Sequence, residues 1–386
     1  MQGHGSSSLT TGDSDNDGKL EIHWGTGTSS SGEDGFITAD VAGYTASIKE
    51  NSTGVQLGNY SSAGWAKVSG SEEEAVFYIP SSGSGYDGSR VITMDSTGSF
   101  DVSAEISSNW DNSSYAVTTD YNNDGFGDIF LPNTSLYTGS FAVMQLHDNV
   151  IQWQYSASGG DSTIGVIKAN DINADTFEDA IFADGRVVRA IDVQNQTIIA
   201  SYTFDHWITD IAPLRVDNKP SVIVAAGDKL SLLTANASVF SEQSFVEQSC
   251  TQIVLINYDT DADIELLCLA GEAYYSKQQF VIFEIEDSTL VEVLRSDLSQ
   301  NFESVVVDPS KTQEQNILAS AKIGHDSSWD NTNSYTIKKL TSTGKIIWGS
   351  PDLVGQPTRQ GLKARNVAGL GLELMLSTQR MMYWIK

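Results

Sequence analysis

The chain has 386 residues, with 22 Lys plus Arg against 50 Asp plus Glu, a formal charge of −28. That excess of one sign repels a nucleic-acid backbone or an anionic membrane surface, so neither is expected as a partner. Apolar residues make up 40% and charged residues 19% of the sequence, a globular composition whose acidity comes from a shortage of bases.

The N-terminal MQGHGSSSLT has no basic cluster followed by an apolar stretch. No apolar run along the chain approaches the roughly 20 residues that span a bilayer, so a soluble chain that does not span a membrane is expected.

Along the chain, a pattern first seen in DSDNDGKLEIHW from Asp13 returns in DYNNDGFGDIFL from Asp120, DINADTFEDAIF from Asp171 and NYDTDADIELLC from Asn257. Each copy has an oxygen-bearing side chain at positions 1, 3 and 5, a carboxylate at position 9, and then an apolar run. Four more segments keep the apolar run but lose the acids: AKVSGSEEEAVFYI, RVDNKPSVIVAAG, the stretch ending QNILASA, and ARNVAGLGLELMLS. The residues just before the runs are Glu21, Glu74, Asp128, Asp179, Ser221, Glu265, Asn316 and Glu373, about 42 to 57 residues apart. A repeat of this length marks stacked supersecondary units.

Within each unit, short runs rich in Val, Ile, Phe and Tyr alternate with Gly, Asn, Asp and Ser, as in VIVAAG, KLSLLTA and QSFVEQ. These read as strands and turns, and no segment sustains a helical period. Strand groups recurring at about 50 residues fit the blades of a β-propeller, where ring closure removes free sheet edges. The expectation is an all-β fold with residues 1–386 forming one propeller, of eight blades, with seven as the alternative. Aromatic third or fourth strands such as DNVIQWQYSAS and TGKIIWGSP are expected to pack outward onto the next blade. The last unit has three strands (GLKARN, LELMLS and MMYWIK), and residues before Asp13 are expected to supply its outer strand.

The four acidic loops suit a hard divalent cation, since Ca2+ takes six to eight oxygen ligands at about 2.3–2.6 Å. The first would use Asp13, Asp15, Asp17, the Lys19 carbonyl and Glu21. The second would use Asp120, Asn122, Asp124, the Phe126 carbonyl and Asp128, and the third Asp171, Asn173, Asp175, the Phe177 carbonyl and Asp179. The fourth would use Asn257, Asp259, Asp261, the Asp263 carbonyl and Glu265. Gly18 and Gly125 hold position 6, where the bend favours φ > 0. Thr176 and Ala262 stand there in the other two loops, which predicts strain or weaker binding. An EF-hand is excluded, because its position-12 glutamate is replaced by Trp24, Leu131, Phe182 and Cys268.

The pattern D-x-[DN]-x-D-G-x-x-[DE] before an apolar strand resembles the FG-GAP/VCBS repeats of integrin-α-like propellers. The phenylalanine-glycine signature survives as Gly125-Phe126-Gly127 and Gly35-Phe36. The resemblance implies about four structural Ca2+ on one face of the ring, with partners met on the opposite face or rim. The other units offer Ser69-Gly70, Asp217, Asp308 and Asn366, and no calcium is expected there. Four doubly charged ions would offset part of the acidic excess.

Two cysteines, Cys250 and Cys268, flank one such loop. Symmetrical folding of that hairpin puts Cys268 opposite about residue 254, so a bond between them needs an offset or a bulge. A disulfide and two buried thiols both remain open. Six N-x-[ST] sequons, at Asn51, Asn59, Asn112, Asn133, Asn195 and Asn236, matter only if the chain meets a glycosylation machinery.

Two similar polar segments, SSNWDNSSY with Trp110 and DSSWDNTNSY with Trp329, are candidate ligand-binding platforms for a sugar ring, as is Trp65 in SSAGWAK. Their alternative role is to pack inward and anchor blade connections. The five histidines, His4, His23, His147, His206 and His325, are scattered, and no G-x-S-x-G, H-E-x-x-H or phosphate loop occurs. No catalytic residue is assigned. His206 beside Trp207 and His325 near Trp329 are the candidates for a base.

The expected function is a secreted or cell-surface, calcium-binding propeller that acts as a binding or adhesion module for an extracellular glycan or protein. The alternative is an extracellular carbohydrate-active enzyme of the polysaccharide lyase type. A scaffold domain cut from a larger surface protein is a third option.

Overall fold

A computed structural model describes residues 9–12, 21–25, 35–42, 45–52, 62–68, 73–79, 90–94, 100–102, 116–133, 140–156, 164–236, 239–261, 263–271, 277–297, 301–323, 334–354, 357–367, 371–378 and 382–385. Before residue 116 and after residue 354 most of these are described by their backbone alone.

Every regular element among the described residues is a β-strand, as the short β-branched runs require. The strands form eight antiparallel sheets, spanning residues 9–52, 62–102, 117–156, 164–203, 208–247, 250–295, 302–354 and 357–385, numbered here sheet 1 to sheet 8. Within each sheet, neighbours in sequence are neighbours in space, except that the short strand Leu353–Val354 of sheet 7 pairs with Ser334–Leu340. The first strands of successive sheets lie against one another, and Pro357–Val367 of sheet 8 returns to Leu9–Gly12 of sheet 1. The chain is an all-β propeller.

Packing explains why the second strands read as unbroken apolar runs rather than alternating ones. In Asp179–Asp184, Ile181 and Ala183 join a cluster shared with sheet 5. Ala180 and Phe182 of the same strand join one shared with sheet 3. Lys219–Ala226 does the same, sending Val222 and Val224 towards sheet 4 and Ile223 and Ala225 towards sheet 6. Both faces of these strands are covered, so both must be apolar. The core is therefore a succession of clusters between adjacent sheets. Val150–Ser156, the fourth strand of sheet 3, shows the alternation expected of a half-exposed element, exposed and half-buried at alternate residues.

Two sequence-based expectations change here. Leu9–Gly12 pairs with Glu21–Gly25 as the first strand of sheet 1, and does not complete sheet 8. The hairpin into Glu21–Gly25 gives those residues a partner of their own. The outer aromatics behave in two ways. Tyr155 packs on Phe182 of the next sheet, 5.1 Å between rings, as expected. Ile346–Gly349 is exposed along its length, with Trp348 at 37%, so among the described residues no neighbour covers this strand.

The cysteines form a disulfide, with Cα atoms 5.5 Å apart. Cys268 lies opposite Ile253 and Cys250 opposite Ala270, and a bulge between Cys250 and Gln252 supplies the offset that brings the two sulfurs together.

Phe182 is fully buried and touches Phe141 and Tyr155 of sheet 3. Phe182→Ala removes this wedge between two sheets and is expected to cost about 3–5 kcal/mol. Urea unfolding should show a lower midpoint with an unchanged slope.

Candidate metal centres

The acidic loops all connect the first strand of a sheet to its second. Because first strands run the same way around the ring, these loops open on one face. The turns between third and fourth strands share that face, and the remaining connections open on the other. Asp13, Asp15, Asp17 and Lys19 lie outside the described residues, and Glu21 opens its strand opposite Gly12. The other three loops are described except for Ala262.

These loops fold alike. In the second, Asp124 N–H donates to Asn122 Oδ1 at 3.0 Å and Phe126 N–H to Asp124 Oδ1 at 2.8 Å. In the third, Asp175 N–H donates to Asn173 Oδ1 at 3.0 Å and Phe177 N–H to Asp175 Oδ1 at 2.9 Å. In the fourth, Asp261 N–H donates to Asp259 Oδ1 at 2.9 Å and Asp263 N–H to Asp261 Oδ1 at 2.8 Å. The position-9 carboxylate accepts the N–H of position 2 in every case: Tyr121 to Asp128, Ile172 to Asp179 and Tyr258 to Glu265. Backbone N–H groups thus hold the side chains at positions 3, 5 and 9 in the same way in all three loops.

Position 6 has the left-handed backbone that its sequence suggests. Gly125 has φ 87° and Thr176 φ 79°. A β-branched residue is strained in that region, so the strain expected at Thr176 is present.

The electrostatics are unbalanced. Asp128, Asp179 and Glu265 are all buried. Burial first, then the charges of Asp124 and Asp120, pushes Asp128 up to about 8. Burial likewise pushes Asp179 up to about 7, with Asp192 and Asp175 adding to it against the N–H bonds from Ile172 and Asn173. Glu265 rises to about 7, through burial and then Asp259 and Asp261. Asp128 Oδ1 and Asn257 Oδ1 are buried without a hydrogen-bond partner. One oxygen each of Asp259, Asp261 and Glu265 lie within 4.8 Å of one another. An all-oxygen set with several carboxylates and orphaned oxygens fits a hard divalent cation.

Residues that the sequence pattern did not single out tie each loop to a neighbouring sheet. Asn123 Nδ2 donates to the Thr176 carbonyl at 2.8 Å, and the Thr119 hydroxyl donates to Glu178, so the second and third loops hold one another. Arg215 of sheet 5 donates to the Asp171 carbonyl at 3.2 Å. An open cleft of about 550 Å3 lies among Asp120, Asn123, Asp171, Glu178 and Arg215. Gly127 donates its N–H to the Lys67 carbonyl at 2.6 Å, and a Cβ there would lie 2.2 Å from that of Ala66. The signature glycine is therefore needed for close approach to sheet 2. On the fourth loop, Gln313 Nε2 donates to the Thr260 and Asp261 carbonyls at 2.7 and 2.9 Å. These contacts join residues more than 40 positions apart, so local spacing gives no sign of them.

Sheet 5 replaces the acidic loop by a two-residue turn at Asp217 and Asn218, with φ 51° and 61°, too short to wrap an ion. Trp110, Trp329 and His325 lie outside the described residues. Trp65 sits within the strand Ser62–Lys67 rather than in a polar loop. His206 packs on the turn at Gly227, where a Cβ would come within 2.6 Å of its ring, while Trp207 beside it is 46% exposed.

Neither a protein-family model nor a curated protein matches the sequence. Among solved structures, Sqt1 from Chaetomium thermophilum is similar, with a TM-score of 0.57 at 11% identity over 99% of this chain and 97% of that one. A chain of the mitotic checkpoint complex is similar with a TM-score of 0.51 at 13% identity, over 83% and 86% of the two chains. At such identities the likeness is one of fold.

In metal-free protein, Asp128 keeps its proton to about pH 8 when folded, against an ordinary value of 3.8. The folded chain therefore binds more protons than the unfolded chain between those values, and stability falls as the pH rises through that window. Asp179 and Glu265 act in the same sense. In chelator, the melting temperature is expected to drop steadily from pH 5 to pH 8.

Proposed function

We propose that this propeller is a secreted or cell-surface binding module in which about four Ca2+ ions hold one face of the ring. The free face or rim would take up an extracellular glycan or protein. The observation that carries this reading is the shared build of the three described loops. At the same topological position, each holds a buried position-9 acid by the N–H of position 2, and among the described residues no basic side chain pairs with that acid. A cation is the simplest way to satisfy the group and to relieve the like charges at positions 1, 3 and 5.

The ions would be structural. A cation enclosed by one loop's own ligands has few positions left for a substrate. Asp13, Asp15, Asp17, the Lys19 carbonyl and Glu21 would supply the further site by analogy of sequence. The disulfide supports an oxidising, extracellular setting, where calcium is abundant enough to fill sites of modest affinity. The described strand ends that flank residues 103–115 and 324–333, which carry Trp110 and Trp329, lie on the face away from the acidic loops. That arrangement supports a partner surface separate from the metal face. One of the similar structures is a protein complex, in keeping with a propeller as a binding scaffold.

Chelation is expected to lower the melting temperature. Filling one site at a hundredfold excess over its Kd is worth about 2.7 kcal/mol, so loss of several sites should be plain in a thermal scan. An unchanged midpoint after complete calcium removal would sink the calcium reading.

For the binding role, protein immobilised in calcium and screened against glycan and extracellular-protein arrays should retain a ligand without releasing product. Release of cleaved polysaccharide that disappears in His206→Ala would replace the binding module with an enzyme.

A further inference from the structure

Sheet 7 carries a first-to-second-strand loop of full length, residues 308–316, yet lacks the acidic pattern. By its alignment on Asn316, its side-chain ligand positions are Asp308, Ser310, Thr312 and Asn316. Asp308 is the one carboxylate among them. It is 1% exposed, as deeply buried as Asp128 and Asp179 in the acidic loops.

Here a basic side chain arrives. Lys339, from the third strand Ser334–Leu340, places Nζ 2.8 Å from Asp308 Oδ2. Asn316 Nδ2 donates to the same oxygen at 3.3 Å, and the Ser310 N–H donates to Asp308 Oδ1 at 3.0 Å. Lys339 lies opposite Leu318. The same register position holds Val143 in sheet 3, Ala190 in sheet 4 and Ile282 in sheet 6, the three sheets with described acidic loops. The lysine thus appears where the loop has lost its other carboxylates.

We infer that the Lys339 ammonium occupies the cation position of the seventh loop, so that this sheet holds a metal-type loop closed by the protein's own charge. One carboxylate and one ammonium balance, whereas each described acidic loop carries three or more carboxyl groups counted with its neighbours, and Arg215 stands beside Asp171 of the third alone, 3.6 Å from its Oδ2. Burial alone would raise Asp308, but the bonds from Lys339, Ser310 and Asn316 hold it below the ordinary carboxylate value, the reverse of Asp128.

The closed loop also has a neighbour to support. Glu314 N–H donates to the Asp259 carbonyl at 2.8 Å and Gln315 N–H to the Asn257 carbonyl at 2.9 Å. Asn257 N–H donates in return to Gln315 Oε1 at 3.0 Å. Lys339 therefore acts as a positioning residue for the fourth acidic loop, through a scaffold that needs no metal. This rests on reading the acidic loops as calcium sites.

The test uses Lys339→Met and the double variant Lys339→Met, Asn316→Asp in the full chain. Melting is followed in chelator and in 10 mM calcium, and bound ions are counted by native mass spectrometry. Lys339→Met leaves a buried charge without its partner, so its melting temperature in chelator should fall by roughly 5 °C or more. The double variant should hold one calcium ion more than the wild type. If Lys339→Met does not fold in chelator, the yield of folded protein in calcium becomes the readout: recovery supports the inference and no recovery overturns it.

Wild-type melting of Lys339→Met in chelator would also overturn it, as would a double variant that binds no extra ion while the wild type loads normally. A wild type that binds no calcium would instead sink the calcium reading and the metal half of this inference together.

Discussion

A strand with two apolar faces needs a sheet on each side of it, and the whole molecule follows from meeting that need. The second strands of sheets 4, 5 and 6 divide their side chains between the sheet before and the sheet after. No pair of sheets can satisfy this alone, because each would leave an outer apolar face in water. A closed succession satisfies it for every sheet, and the first strands of sheets 8 and 1 complete the circuit.

Closure has an electrostatic cost. It turns every first-to-second connection to the same face and brings the carboxylates of neighbouring loops together, as at Asp120, Asp171 and Glu178 around one cleft. At the buried Asp128, Asp179 and Glu265 the surroundings favour the neutral acid. At Asp308 an ion pair with Lys339 favours the charged form. The contrast shows that burial by itself does not decide the state of these acids; what stands opposite them does.

Much of this was legible in the sequence because its signals are local. The apolar runs mark the second strands, and the Asp and Asn spacing marks loops whose hydrogen bonds join residues two to seven positions apart. The need for φ > 0 at Gly125, and the strain at Thr176, could be read from one position. What escaped was non-local. Gly127 is demanded by Ala66 of another sheet, and Lys339 is tied to Asp308 across a strand pair. The disulfide depends on one bulge, which composition does not mark and which shifts the register at Cys250. Leu9–Gly12 was assigned to the wrong sheet because pattern alone does not say which edge a short strand will join.

The way Asp179–Asp184 shares its residues makes the strand a message with a frame of two. Ile181 and Ala183 are addressed to one neighbour, Ala180 and Phe182 to the other. Deleting a single residue inside it would deliver every side chain after that point to the wrong sheet and corrupt two interfaces at once. Substitutions of similar size at these positions keep the frame. Insertions and deletions during evolution should therefore gather in the connections at the two ends of the ring, leaving the length of the second strands nearly fixed from sheet to sheet.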